Sequence, residues 1–331
     1  MKSIRKIFIA NSVYAFFLYC MRFAKDIDDT LFVLGPSCAF AEVNHFLPMV
    51  APDKKEDLPV YKELIKKQVF FLLSGTRVPC YGNVETIFSD FFINTFDFYP
   101  MTDGLVDTVK FPQYLKNKNF KMCYTVRYPN GLDIVHPRLE YLNIKELWEK
   151  LSVEEKNKIA KVFLLEKSAF SALQFRKKIL LTQPLSEDGI CSLADKIEIY
   201  KRILSRYDTN ELVIKPHPRE TTNWKEIFPE AVVLPQHIPS EVIPLVVSDL
   251  DKVIAFFSTA AFNMLSPKQV DFYAKDFKNL KYYQQDFYEK DGVCYKPISS
   301  FDVEEVYKDY GFNWFNIPDD ENNPYFYKKN G

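Results

Sequence analysis

Short apolar runs alternate with helix-length polar stretches twice along this chain, and that rhythm limits the fold more than any other feature. In the first half the runs are Ile4–Ala10, Thr30–Leu34 and Val69–Leu73, each bounded by turn residues. A fourth, Phe91–Phe98, leads into Met101-Thr102-Asp103-Gly104. In the second half Lys178–Thr182 reads as a strand, Ile197–Leu204 as a helix and Glu211–Ile214 as a strand. Further strands fit Ala231–Leu234, Val253–Phe257 and Val270–Tyr273. Strand-helix-strand repeats of this kind build parallel sheets. Two series predict two α/β domains with the carboxyl edges of their sheets facing one central cleft, because open α/β sheets bind ligands at those edges. At 331 residues the chain is long enough for two cores.

Between the series, Leu142–Arg176 is charged, lacks Gly and Pro, and carries Ile144, Leu147, Trp148 and Leu151 at helical spacing, which predicts a pair of bridging helices. The expected boundaries are a first domain over 1–150, a helical linker over 151–176, a second domain over 177–305 and a tail over 306–331. Near the start, Lys2, Arg5 and Lys6 precede the apolar run Ile7 to Met21 and imitate a secretion signal. Asn11, Ser12, Tyr14 and Tyr19 interrupt that run, and it is too short and too polar to span a bilayer. A first strand followed by a buried helix is expected instead.

Composition narrows the partner. Lys and Arg number 43 against 44 Asp and Glu, so no polyanion-binding surface and no nucleic-acid partner is implied, and a small molecule or glycan fits better. Cys20, Cys38, Cys80, Cys123, Cys191 and Cys294 are too scattered for a zinc site or a disulfide framework, in keeping with reduced thiols in the cytoplasm. His45 and His237 have no acid or cysteine at ligand spacing, so no metal is expected. Asp26, Asp28 and Asp29 read as a polar turn.

Three segments could carry chemistry. Lys215-Pro216-His217-Pro218-Arg219-Glu220 follows an apolar strand. Its prolines pre-set the backbone around an imidazole that could donate to a phosphate oxygen, although strand-ending prolines and a histidine capping a turn would read the same way. In Phe256-Phe257-Ser258-Thr259-Ala260-Ala261 a strand gives way to two hydroxyls at a helix start, which suits a phosphate and equally an ordinary N-cap. Gln183-Pro184-Leu185-Ser186-Glu187-Asp188-Gly189 offers two carboxylates, either as a general base or as acids complementing a helix dipole. Asp103 is a rival acid in the first domain. His136-Pro137-Arg138 reads as a structural turn.

In this order, an acidic-Gly pair, His217-Pro218-Arg219 and Phe-Phe-Ser-Thr-Ala-Ala resemble the bacterial sialyltransferases of glycosyltransferase family 52 and their polysialyltransferase relatives. The resemblance implies a GT-B fold of two Rossmann-like domains, the first on the acceptor side and the second binding CMP-sialic acid. It implies inverting, metal-independent transfer of sialic acid, with CMP-sialic acid as substrate rather than cofactor, to a galactose-terminated glycan of a capsule or lipooligosaccharide. His217 would then serve the leaving group. The base would be Asp188, Asp103 or Glu187, in that order, and the family's Asp-Asp-Gly survives at the rival position only as Asp103-Gly104. The donor would meet Lys215, Pro218, Arg219, Ser258 and Thr259, with Glu241 near the ribose. A homodimer is implied as well, and the aromatic-rich surface and acceptor class suggest peripheral work at the inner face of the membrane. A GT-B transferase with another nucleotide donor, a polysialyltransferase, or an inactive glycan-binding scaffold remain the alternatives.

Overall fold

A computed structural model describes residues 4–50, 52, 54–84, 86–101, 114–126, 135–165, 173, 176–247, 249–256, 258–273, 288–290, 293–295, 311–315 and 317. The chain divides into two compact units, Met1–Glu166 with His237–Pro239, and Lys167–Gln236 with Ser240–Gly331.

The first unit is built on strands β1 (Lys6–Ala10), β2 (Thr30–Leu34), β3 (His45–Pro48), β4 (Cys80–Gly82) and β5 (Phe98–Pro100), with helices α1 (Val13–Arg22), α2 (Leu58–Leu73) and α3 (Ser89–Thr95) between them. Its sheet runs β3-β2-β1-β4-β5 with every pairing parallel. That is the doubly wound order, in which the chain leaves the central strand first to one side and then to the other. A parallel pair, β6 (Cys123–Val126) and β7 (Leu139–Leu142), forms a separate two-stranded sheet tied to it by the isolated bridges Phe98 to Phe120 and Met101 to Tyr124. The opening segment is a strand and a buried helix, as its pattern predicts. Ser12 caps α1 by accepting from the Ala15 N–H, and Val13 and Ala15 through Met21 are all buried. Phe8, Phe16, Tyr19 and Phe32 pack their rings at 4.4 to 6.0 Å in stacked, tilted and edge-on geometries that add to simple burial.

Two expected strands are helical. Val69–Leu73 is the end of α2, where Ile65, Val69 and Leu73 are buried at helical spacing while Phe70 and Phe71 face outward. An apolar run of five does not distinguish a strand from the inner stripe of a helix. Phe91–Phe98 splits likewise into most of α3 and the first residue of β5. Asp26, Asp28 and Asp29 do lie in a polar turn, paired with Lys6, Lys158 and Arg5. The bridging stretch forms α4 (Ile144–Lys150) and α5 (Val153–Val162), the latter opened by a reciprocal Ser152 and Glu155 capping box. Both belong to the first unit.

The second unit holds β8 (Lys178–Leu181), α6 (Leu193–Leu204), β9 (Leu212–Lys215), β10 (Val232–Val233), β11 (Lys252–Ala255), β12 (Val270–Phe272), an antiparallel pair β13 (Tyr288–Lys290) and β14 (Val293–Tyr295), and β15 (Asn313–Trp314). Its sheet runs β10-β9-β8-β11-β12-β15, again parallel throughout. β15 falls in the stretch expected to be a tail and is the sixth strand. Leu180, Ile199, Tyr200, Ile203, Ile214, Trp224, Ile254 and Phe256 fill the core beneath α6.

Candidate active site

In the second sheet the chain steps from β8 to β9 on one side and returns to β11 on the other, so the topological switch point lies between β8 and β11. The three sequence segments leave the carboxyl ends of β8, β9 and β11, three neighbouring strands. The fold therefore gathers at one sheet edge what the sequence spreads over more than seventy residues.

The loop after β8 is shaped by its own main chain. The Asp188 N–H donates to the Pro184 carbonyl at 2.8 Å and the Ile190 N–H to the Leu185 carbonyl at 2.8 Å, while Gly189 sits at a φ of 68°, where a side chain would be strained. This turn sends its two acids different ways. Glu187 accepts from Lys196 Nζ at 2.8 Å and from the Thr221 N–H at 2.8 Å, with Ser186, Thr221 and Thr222 hydroxyls around it. Burial opposes its charge, but Lys196 and those N–H groups outweigh it and hold the carboxyl down at about 2. As the third-ranked base it is a poor proton acceptor. Asp188 stays partly exposed, and its carboxylate meets the Arg219 guanidinium, with Arg219 Nη2 donating to Oδ2 at 3.0 Å.

The loop after β9 fixes His217 from two directions. Its main-chain N–H donates to Glu220 Oε1 at 3.3 Å, and its Nδ1 accepts from the Arg219 N–H at 3.2 Å. Because Nδ1 is an acceptor, the neutral ring carries its proton on Nε2. Burial, with Arg219 and Lys215 nearby, pushes the imidazole down to about 4, so the resting ring is a neutral donor at pH 7. Lys215 is buried, and it donates to the carbonyls of Pro216 and Gln236, bracing the loop from beneath. Burial lowers that ammonium to about 8.

After β11, Ser258 precedes the 3-10 turn Thr259–Asn263 with an extended backbone and makes no side-chain cap hydrogen bond, so it is not an ordinary N-cap. Thr259 opens that turn. Packed against it is the turn Ser240–Val242, where Glu241 is buried and accepts from the Ser240 hydroxyl at 3.0 Å. Burial raises the Glu241 carboxyl to about 7. Phe257 and Asp103 lie outside the described residues. Among the described residues no group of three His, Cys, Asp or Glu side chains is placed to hold a metal ion, and no helix is long and apolar enough to cross a membrane.

Comparison with known proteins supplies the family. The profile of glycosyltransferase family 52 matches residues 44–278, more than half of the chain and all three loops. The chain belongs to glycosyltransferase family 52. An uncharacterised protein of Haemophilus influenzae is 43% identical over 162 residues, 49% of this family 52 chain and 53% of that protein, so the chain spans about half the length of the relative it matches. Among solved structures, the 2,6-sialyltransferase of Photobacterium sp. JT-ISH-224, in complex with CMP and lactose, superimposes with a TM-score of 0.56 at 10% identity. The match covers 81% of this chain and 71% of that one. A sialyltransferase of Photobacterium damsela gives 0.50 at 11% identity, covering 82% and 74%. At such identities the likeness is one of fold, and it places the chain in the expected GT-B class.

Two residues at this edge escape sequence inspection. Lys196 and Glu220 are buried directly behind His217 and Glu187. A signal for Lys196 does exist, since it stands three and four residues before Ile199 and Tyr200, on the buried stripe of α6.

Proposed function

We propose that this family 52 chain transfers sialic acid from CMP-sialic acid to a hydroxyl of a galactose-terminated glycan with inversion at the anomeric carbon. The observation that carries the reading is the convergence of Asp188, His217 and Ser258 on the carboxyl ends of three adjacent strands at the switch point. Support comes from the family and from the sialyltransferases that share the fold, one of them holding CMP and lactose.

In this mechanism the Ser258 hydroxyl and the turn it opens receive the phosphate of the donor, and Glu241 receives the ribose hydroxyls. The neutral Nε2–H of His217 donates to the phosphate as the bond from the anomeric carbon to the phosphate oxygen breaks and its electron pair leaves with CMP. Asp188 takes the proton of the acceptor hydroxyl as that oxygen forms the new bond on the opposite face. Neutral and cationic donors suffice for a phosphodiester bearing a single negative charge, so turnover is metal-independent. Work as a homodimer at the inner face of the membrane, on capsule or lipooligosaccharide intermediates, belongs to the same proposal.

The test is CMP release from CMP-sialic acid, with and without a galactose-terminated acceptor, in excess chelator. Acceptor-stimulated release is expected. The absence of both CMP release and CMP binding would sink the donor assignment.

A further inference from the structure

Behind the candidate site, a buried cation and a buried carboxylate join two loops that the sequence gives no reason to connect. The Lys196 ammonium, fully enclosed, donates to Glu187 Oε2 at 2.8 Å and to the Thr222 hydroxyl at 2.9 Å, lies 3.3 Å from Glu220 Oε2, and stands 5.5 Å from the centre of the Trp224 ring. The Glu220 carboxylate, equally enclosed, accepts three donors, the Thr182 hydroxyl at 2.7 Å, the His217 N–H at 3.3 Å and Trp224 Nε1 at 2.7 Å, and forms an ion pair with Lys196. Its own main-chain carbonyl is held by Gln236 Nε2. Thr182 directly follows β8, at the start of the acidic loop, and His217 lies in the loop after β9, so one carboxylate fastens both. Glu187 makes the second fastening, from Lys196 and the Thr221 N–H, and is the residue immediately before Asp188.

We propose that Lys196 and Glu220 act as positioning residues for sialyl transfer, a buried clamp that fixes the His217 ring in one loop and the Asp188 carboxylate in the other. The inference rests on the transferase reading above. Stability alone is a poor explanation for the arrangement, because well-packed apolar side chains commonly match or exceed a buried ion pair in stability. What an ionic clamp supplies that an apolar one does not is direction: each oxygen of Glu220 is assigned to named donors, and the His217 N–H is one of them. Small misplacements at a reacting centre cost on the order of a hundredfold in rate. The charged groups acting on the imidazole are Arg219, Lys215, Asp188 and Lys196, so loosening the clamp alters the ring's surroundings as well as its aim.

Lys196→Met leaves two buried carboxylates facing one another, and failure to fold is a real outcome for it. Glu220→Gln keeps the shape of the side chain, and Thr182→Val removes a single hydroxyl, so these two variants carry the test. Each is made in the full chain and compared by thermal unfolding, CMP affinity, kcat with a galactose-terminated acceptor, and the nitrogen and proton resonances of His217. Assignment is tractable because the chain has only four histidines. The clamp predicts that folded Glu220→Gln keeps CMP affinity within about threefold, loses roughly a hundredfold in kcat, and shows His217 leaving the single Nε2–H tautomer, with Thr182→Val intermediate. Folded variants with full kcat, or with wild-type His217 resonances, would overturn it. Should the wild-type chain release no CMP, the transferase reading fails, and the His217 resonances still decide whether the clamp fixes the ring.

Discussion

The Asp188 carboxylate and the Arg219 guanidinium form an ion pair across two loops that leave adjacent parallel strands, with Arg219 Nη2 at 3.0 Å from Asp188 Oδ2. Arg219 also gives its main-chain N–H to His217 Nδ1. One residue thus touches both the proposed base and the proposed leaving-group donor. Asp188→Asn is expected to lower kcat by about 10²- to 10⁴-fold, the usual range for losing a general base, with CMP affinity retained. Asp103→Asn is the companion variant. A larger loss there than at Asp188 would transfer the base to Asp103.

CMP affinity should carry a signature of His217. The imidazole is held at about 4 in the resting protein by burial and neighbouring cations. A bound phosphate anion favours the protonated ring and raises that value. Protonation and binding then help each other, so affinity gains as pH falls toward 4. CMP itself titrates, and the informative quantity is the difference between wild type and His217→Asn by calorimetry across pH 7 to 4. A difference that stays flat counts against phosphate contact with the ring.

Glu187 makes a prediction of opposite kind, about stability. Its folded carboxyl sits at about 2, below its unfolded value near 4.5. Its contribution is therefore complete above pH 4.5 and is lost as pH falls toward 2. Urea unfolding of wild type and Glu187→Gln should differ at pH 7 in favour of wild type, and the gap should narrow at pH 3.

Glu241 runs the other way. Burial raises its carboxyl to about 7, so the folded state holds a proton between pH 4.5 and 7 that the unfolded chain has already lost. Wild-type stability should therefore fall relative to Glu241→Gln as pH rises through that window. Parallel stability curves for the two proteins would show that Glu241 is not buried as described.

In the first unit, Gly82 ends β4 at a φ of 135°, and a β-carbon there would stand 1.8 Å from the Ile9 carbonyl oxygen. No flexible side chain can yield, because the obstacle is the backbone of the central strand. Gly82→Ala should cost at least about 2–3 kcal/mol, the scale of a forced backbone conformation plus overpacking, read as a fall in unfolding midpoint.

The second unit was legible largely because its strands are apolar runs flanked by turn residues and its main helix carries a clear inner stripe. Ile197–Leu204 lies within α6, and Val253–Phe257 and Val270–Tyr273 overlap β11 and β12. The first unit was harder. β4 and β5 are three residues each, too short for any alternation to register, and the apolar end of α2 masquerades as a strand. At the candidate site the order of motifs offered His217, Ser258 and an acid from Asp188, Asp103 or Glu187 as candidates, but not the residues packed behind them. A lysine in a helix ordinarily reads as solvated, and only the position of Lys196 on the same face as Tyr200 hints otherwise.

The tripeptide His-Pro-Arg occurs twice, and the structure folds both copies into the same turn: His136 Nδ1 accepts from the Arg138 N–H at 3.1 Å, as His217 Nδ1 does from Arg219 at 3.2 Å. The first copy spends its arginine on the carbonyls of Leu115, Asn117 and Phe120 and stands before the amino end of β7. The second follows the carboxyl end of β9. Identical stereochemistry is thus a stitch at one end of a strand and a presented imidazole at the other. For chains of this kind, the tripeptide works as a portable fitting whose meaning comes from its address. A search keyed to strand polarity would pick out one of these histidines, where a search keyed to the three letters returns both.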